Sequence, residues 1–315
     1  ERNQLSADLR QAFADHGVQL FDDALVETSD PGREYLVTQT DRSYTARLTA
    51  DRLEVYPGRL VEKSFYRDNH IISRNRYEGG WLESATQYDD MGSVARVVSF
   101  HLGRLDGPMT LYEGGLPTSL VTFKDGEKQG QAITYDEQGR PALVSHYQDG
   151  LLDGEVWVYK GGHKQAMATY RGDKKDGPAV AYYPSGREHL VAQYKAGMRD
   201  GESLVYGEDG QLVQKSGYKA DLPDGESLLY DHDGHLVKQA SYQAGKLQGE
   251  VVDYFASGMA RKRTHYLDGK LHGVVFLYAE NGRVKETRYY RNGQQVGAPE
   301  RPSWLKTLFE KGRLT

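Results

Sequence analysis

The chain has 315 residues, with 40 Lys and Arg against 45 Asp and Glu, a net charge of −5 and no cysteine. An acidic balance argues against a nucleic-acid binder and against a module held on anionic lipid by charge, since both are normally basic. Without thiols there is no disulfide, thiolate metal site or cysteine nucleophile, and no run of about 18 apolar residues is present to cross a membrane as a helix.

Taken in chain order, the sequence begins at Glu1 rather than Met. That points to a removed leader, either a signal peptide or a lipoprotein anchor, and hence to the periplasm; a trimmed cytosolic protein is the alternative. Residues 1–76 read as an N-terminal cap with one helix and a few strands. Leu5, Leu9, Ala12 and Phe13 fall on one helical face, and Gly17 suits its C-terminal cap. Residues 34–40 and 43–48 alternate as strands, and 53–56 begin the first degenerate hairpins.

From 77 to 297 one pattern repeats. An aromatic recurs every 23 or 24 residues: Phe100, Phe123, Tyr147, Tyr170, Tyr194, Tyr218, Tyr242, Tyr266 and Tyr290. A glycine follows seven residues later, as at Gly201, Gly225 and Gly249, and a second aromatic five beyond that, as at Tyr206, Tyr230 and Tyr254. Each unit reads as strand, glycine turn, strand, with all the glycines assigned to turns that demand φ > 0. By alternation Leu204 and Tyr206 share one face of a first strand, and Leu212, Ser216 and Tyr218 one face of a second. Each hairpin then has a single apolar face, and Tyr206, Tyr230 and Tyr254 form an internal ladder. A lone hairpin is marginal in water, so neighbours must stack. The expected fold is an all-β repeat: an elongated, twisted antiparallel sheet of stacked β-hairpins with short helical or mixed caps at both ends. Residues 298–315 supply the second cap, a helix in which Pro302 and Ser303 precede Trp304, Leu305, Leu308 and Phe309.

The units Y-QDG-LLDGEVWVY, Y-QAG-KLQGEVVDY and Y-LDG-KLHGVVFLY resemble MORN-repeat variants, the form found in bacterial antitoxin-like and immunity-like proteins. The resemblance covers about 77–297. It implies an immunity protein that binds and neutralises a cognate secreted toxin by covering it, a phospholipase being the toxin class put forward. A membrane-associated or protein-binding scaffold without a toxin partner is the alternative. The resemblance carries over no catalytic residue.

The residues themselves offer little chemistry. No phosphate loop precedes a helix, and no G-x-S-x-G elbow is present. His232 and His235 flank Asp231, Asp233 and Gly234 in imitation of a metal loop, but they fall in a repeat turn and read as solvated. No metal, cofactor or catalytic set is therefore expected, and an enzyme would have to reside in 1–76, which hold only His16 and His70. Repeat arrays more often work as surfaces. Trp157 and Phe276 replace smaller residues on first strands and read as extra packing. Tyr183 and Phe255 each follow a second aromatic, and Tyr289 precedes Tyr290, so alternation turns all three to the wetter face with no structural duty. With Arg261 and Arg263, from the basic run that also includes Lys262, they are the candidate partner contacts.

Overall fold

The computed structural model describes residues 61–67, 69–78 and 81–298, the strands Leu25–Asp30, Glu34–Thr38, Ser43–Leu48 and Leu53–Pro57, and Gln11, Ala14 and Asp15. The chain divides into two compact units, 1–162 and 163–315. The fold is all-β and antiparallel. In the first unit the four N-terminal strands pair in chain order. A second sheet then runs from Val61–Arg67 and His70–Glu78 through to Gly154–Lys160. The hairpin architecture thus starts before Tyr77. The second unit repeats it from His163–Arg171 to Gln294–Val296. Gln11, Ala14 and Asp15 are helical; Leu5, Leu9, Ala12, Phe13, Gly17 and the helix expected at the C-terminus lie outside the described residues.

Two turn types explain the length of the repeat. At one end Lys195 pairs with Met198 across Ala196 (φ 51) and Gly197 (φ 94). Two consecutive positive φ values define the type I′ turn, whose twist matches that of the strands. At the other end the Gly207 N–H donates to the Gln211 carbonyl at 2.9 Å, and the Gly210 N–H to the Gly207 carbonyl at 2.9 Å. That is a type I turn closed by a left-handed glycine, and it leaves a bulge in the strand that follows.

The glycines seven residues after each aromatic are not turn residues. Gly201 lies inside the strand Met198–Tyr206, at φ +116, where the register to the preceding strand shifts between Ala192 and Tyr194. Gly225 and Gly249 hold the same position. Each faces the next aromatic: Gly201 pairs with Tyr218, Gly225 with Tyr242 and Gly249 with Tyr266. A ring across from a bare glycine covers backbone that would otherwise be exposed. Cations cover several of these rings in turn: Arg199 lies 4.1 Å from the centroid of Tyr218, Lys175 5.0 Å from Tyr194 and Lys128 4.8 Å from Tyr147. The residue before the glycine reaches the next repeat. Asp176 Oδ2 accepts the Ala196 N–H at 3.2 Å, Asp224 Oδ2 the Ala244 N–H at 2.9 Å and Gln248 Oε1 the Asp268 N–H at 3.0 Å. The recurring acid-or-amide plus Gly pair thus binds one type I′ turn to the strand before it.

The bulges also redistribute the side chains. Tyr206 pairs with Leu212 after a shift at Val205, while Tyr218 pairs with Gly201. Leu212 therefore lies with Tyr206 and Leu204, and Ser216 and Tyr218 lie on the opposite face. The single apolar face expected for each hairpin is split between both sides of the sheet. The most buried row consists of small residues: Ala192, Ser203 and Ser216 are 3%, 8% and 7% exposed and pair in sequence. The Ser216 hydroxyl is satisfied by Gln214 Nε2 at 2.9 Å and lies 3.1 Å from Ser227 Oγ, as buried polar groups require. Tyr206, Tyr230 and Tyr254 are half-buried rather than internal. In the first unit the largest fully buried side chains are Tyr77 and Val98.

Candidate functional site

The candidate contact residues occupy three kinds of position. Tyr183 and Phe255 are not strand residues. Each starts the type I turn of its repeat, donating its N–H to Arg187 and Met259 respectively. In three other repeats that position holds aspartate, Asp89, Asp136 and Asp231: Asp136 Oδ1 accepts the N–H groups of Gln138 at 3.0 Å and Arg140 at 2.9 Å. A tyrosine cannot do this. Instead its ring packs 4.6 Å from His189, and its hydroxyl donates to the Tyr206 carbonyl at 2.9 Å. Tyr183 therefore does have a structural duty, bonding one repeat to the next. Nearby, Arg187 donates to the Glu208 carbonyl at 2.9 Å, so successive turns are joined along this edge.

Arg261, Lys262 and Arg263 do not form one patch. Strand alternation sends Lys262 to the face of buried Thr264, and Arg261 and Arg263 to the other. Arg263 Nη1 lies 3.2 Å from Glu250 Oε1, both side chains being about half exposed. Tyr289 pairs with Val274 and falls on the same face as Arg263, because Arg263 pairs with Phe276, two residues on from Val274. Phe276 and Trp157 are half-buried and lie beside tyrosines, Phe276 with Tyr278 at 6.1 Å and Trp157 with Tyr159 at 6.3 Å. Trp157 Nε1–H also donates to Glu155 Oε2 at 2.8 Å. Neither ring is enclosed as core packing would require. The structure thus brings Arg261, Arg263 and Tyr289 to one face, and places Tyr183 and Phe255 at the turn edge.

Asp231, Asp233 and His235 each offer a ligand atom within 4.8 Å of the others. The Asp231 carboxylate already has a use in the turn. Its Oδ1 accepts the N–H of Asp233 at 3.0 Å and of His235 at 2.8 Å. These bonds favour the ionised form, so Asp231, through His235 first, and Asp136, through the Arg140 N–H first, titrate below the usual carboxylate range. A lowered folded value adds stability that is complete above the unfolded pKa, about 4, and is lost as pH falls through the folded value. Urea midpoints should therefore fall on acidification below about pH 4. Asp136→Asn and Asp231→Asn, which keep an acceptor oxygen, should flatten that dependence; an unchanged acid slope would show that these turns do not contribute to it.

The MORN repeat variant family model matches residues 199–220, 223–244 and 271–292. Each match covers a strand pair running from just beyond one type I′ turn towards the next. No curated protein matches the chain. Among solved structures, 46% of the chain is similar to 20% of a chain in the crystal structure of accessory secretory protein 1,2 and 3 in Streptococcus pneumoniae, at 12% identity and a TM-score of 0.14. The chain carries MORN repeat variant units in these three segments.

Proposed function

We propose that this chain is an immunity protein: it binds a cognate secreted toxin, a phospholipase by class, in the periplasm and neutralises it by occlusion. The observation that supports the reading is the face of the last hairpins. There Arg261, Arg263, Phe276, Tyr278 and Tyr289 are exposed or half-exposed together. Arginine and aromatic side chains grouped in this way are the usual composition of interface hot spots. A sheet of this kind offers a broad, fixed surface whose backbone is already ordered before binding, so little entropy is lost on association.

The test is co-expression with the product of the neighbouring gene, assayed as the toxin. Wild type should protect cells and form a complex of fixed stoichiometry. Replacing Arg261, Arg263 and Tyr289 together by alanine should weaken binding by about thirtyfold or more, as loss of one hot spot of about 2 kcal/mol does, with the melting temperature nearly unchanged. Tyr183→Ala should lower the melting temperature instead, since its hydroxyl joins two repeats. Continued killing with no complex would replace this reading with a scaffold that has no toxin partner.

A further inference from the structure

Each repeat of the second unit has one bulged residue opposite its second aromatic. The register shift at Tyr182, Tyr206, Tyr230, Tyr254 and Tyr278 leaves His189, Val213, Val237, Arg261 and Lys285 as that extra residue. In such a bulge the extra side chain shares the face of the residue it opposes. Val213 and Val237 are half-buried there, whereas Arg261 and Lys285 are exposed. His189 is exposed as well, so the position accepts apolar and polar side chains alike, and the last two copies carry cations that the fold does not require. Neither makes an ion pair among the described residues.

The two cations belong to one site. Lys262 pairs with Leu277 and Arg263 with Phe276, so the register continued by one residue places Arg261 beside Tyr278. Lys285 lies on the other side of Tyr278, between the pairs Leu277 with Glu286 and Tyr278 with Val284. At about 4.8 Å per strand, Arg261 and Lys285 stand about 10 Å apart across one tyrosine ring. Arg263 and Phe276 form the next row. On the same face the preceding hairpins carry glutamates at Glu202, Glu226 and Glu250, with Lys215 2.6 Å from Glu202 and Gln239 2.8 Å from Glu226. The cationic island is short and is bounded by acids.

We infer that Arg261, Lys285 and Arg263, around Tyr278 and Phe276, form a docking site for a short acidic segment of a protein partner. Charge complementarity sets the sign, and the tyrosine between the two cations suits the apolar part of such a segment. The bounding glutamates favour a few carboxylates over a long polyanion: a nucleic acid strand continuing along the sheet would meet Glu250, Glu226 and Glu202, and the whole chain is at −5. The inference deepens the binding reading above and rests on it for the partner, but the chemistry of the site can be measured without the toxin.

The experiment titrates a labelled hexaglutamate peptide into the full chain at low salt and reads anisotropy, beside hexalysine, a single-stranded oligonucleotide and anionic phospholipid vesicles. Hexaglutamate should bind and hexalysine should not. Arg261→Glu with Lys285→Glu should weaken binding by about tenfold or more without moving the melting temperature, because both side chains are exposed. Glu250→Gln, which releases Arg263, should tighten it. No binding, or binding indifferent to both variants, would overturn the site. Equal or stronger capture of the oligonucleotide or the vesicles through the same residues would overturn the assignment to a protein segment. If peptide binding follows the variants while the chain fails to protect against the toxin, the immunity reading falls and the acidic-segment site stands.

Discussion

Replacing Tyr77 by alanine should cost about 3–5 kcal/mol, the range for truncating a fully buried aromatic. Tyr77 is 0% exposed, and its hydroxyl oxygen accepts from Asn75 Nδ2 at 3.2 Å. Truncation would remove the ring's contacts and also take the tyrosine oxygen from that half-buried amide. Tyr230→Ala is the control. Tyr230 is half-buried on the sheet, so its loss should be no more than about half as large, in proportion to the area it hides. Because each hairpin is supported by its neighbours, the Tyr77→Ala loss should spread along the first unit. Urea denaturation of both variants, with amide exchange to locate the opening, decides the matter. Equal losses would show that sheet tyrosines are interchangeable whatever their burial.

Gly201→Ala should destabilise by about 2 kcal/mol, by two mechanisms that a second variant separates. The first is conformational: φ at Gly201 is +116, outside the region an L-residue adopts without strain. The second is steric, since a Cβ there would lie 3.0 Å from the Cβ of Gln193, close to backbone and unable to swing aside. Gly130 is the matching position at φ +80, with nothing within 4 Å of an added Cβ. Gly130→Ala should therefore cost only about 1 kcal/mol, the strain alone. Parallel thermal melts check the difference. If both variants cost the same, the contact with Gln193 is relieved by movement of the sheet. If neither costs anything, the bulge is not held as described.

Much of the architecture is legible in the order of residues. A period of 23 or 24 with paired aromatics and glycines has no use in a helix, and β-branched segments between turn residues can satisfy their backbone only by pairing with neighbours. That reasoning yields the antiparallel hairpins at 77–297 and the strands near 34, 43 and 53. It misassigns the glycines at 201, 225 and 249, because a positive φ is equally useful in a turn and in a bulge. Only the partner strand distinguishes the two: Gly201 is known as a bulge residue because the register to the preceding strand shifts there, between Ala192 and Tyr194. The dipeptides in front of the next turns were visible too, but that Asp224 caps Ala244 in the following repeat is a fact of stacking.

The candidate site shows the same division. The basic run at 261–263 and the extra aromatic before Tyr290 single out Arg261, Arg263 and Tyr289 in the sequence. Alternation along one strand already separates Lys262 from its neighbours. What residue order could not provide was the register. One extra residue per hairpin reverses the parity between strands, so Leu212 leaves the face of Tyr218 and joins Tyr206. The same bulge turns Arg261 and Lys285 towards Tyr278. The type I turn takes Tyr183 and Phe255 off the sheet, and there Tyr183 bonds the next repeat. The sequence by itself determined the repeat and its hairpins, since these follow from local periodicity and turn chemistry. The tertiary structure decided which face each side chain takes, because that depends on hydrogen bonds between strands and a shift of one residue reverses it.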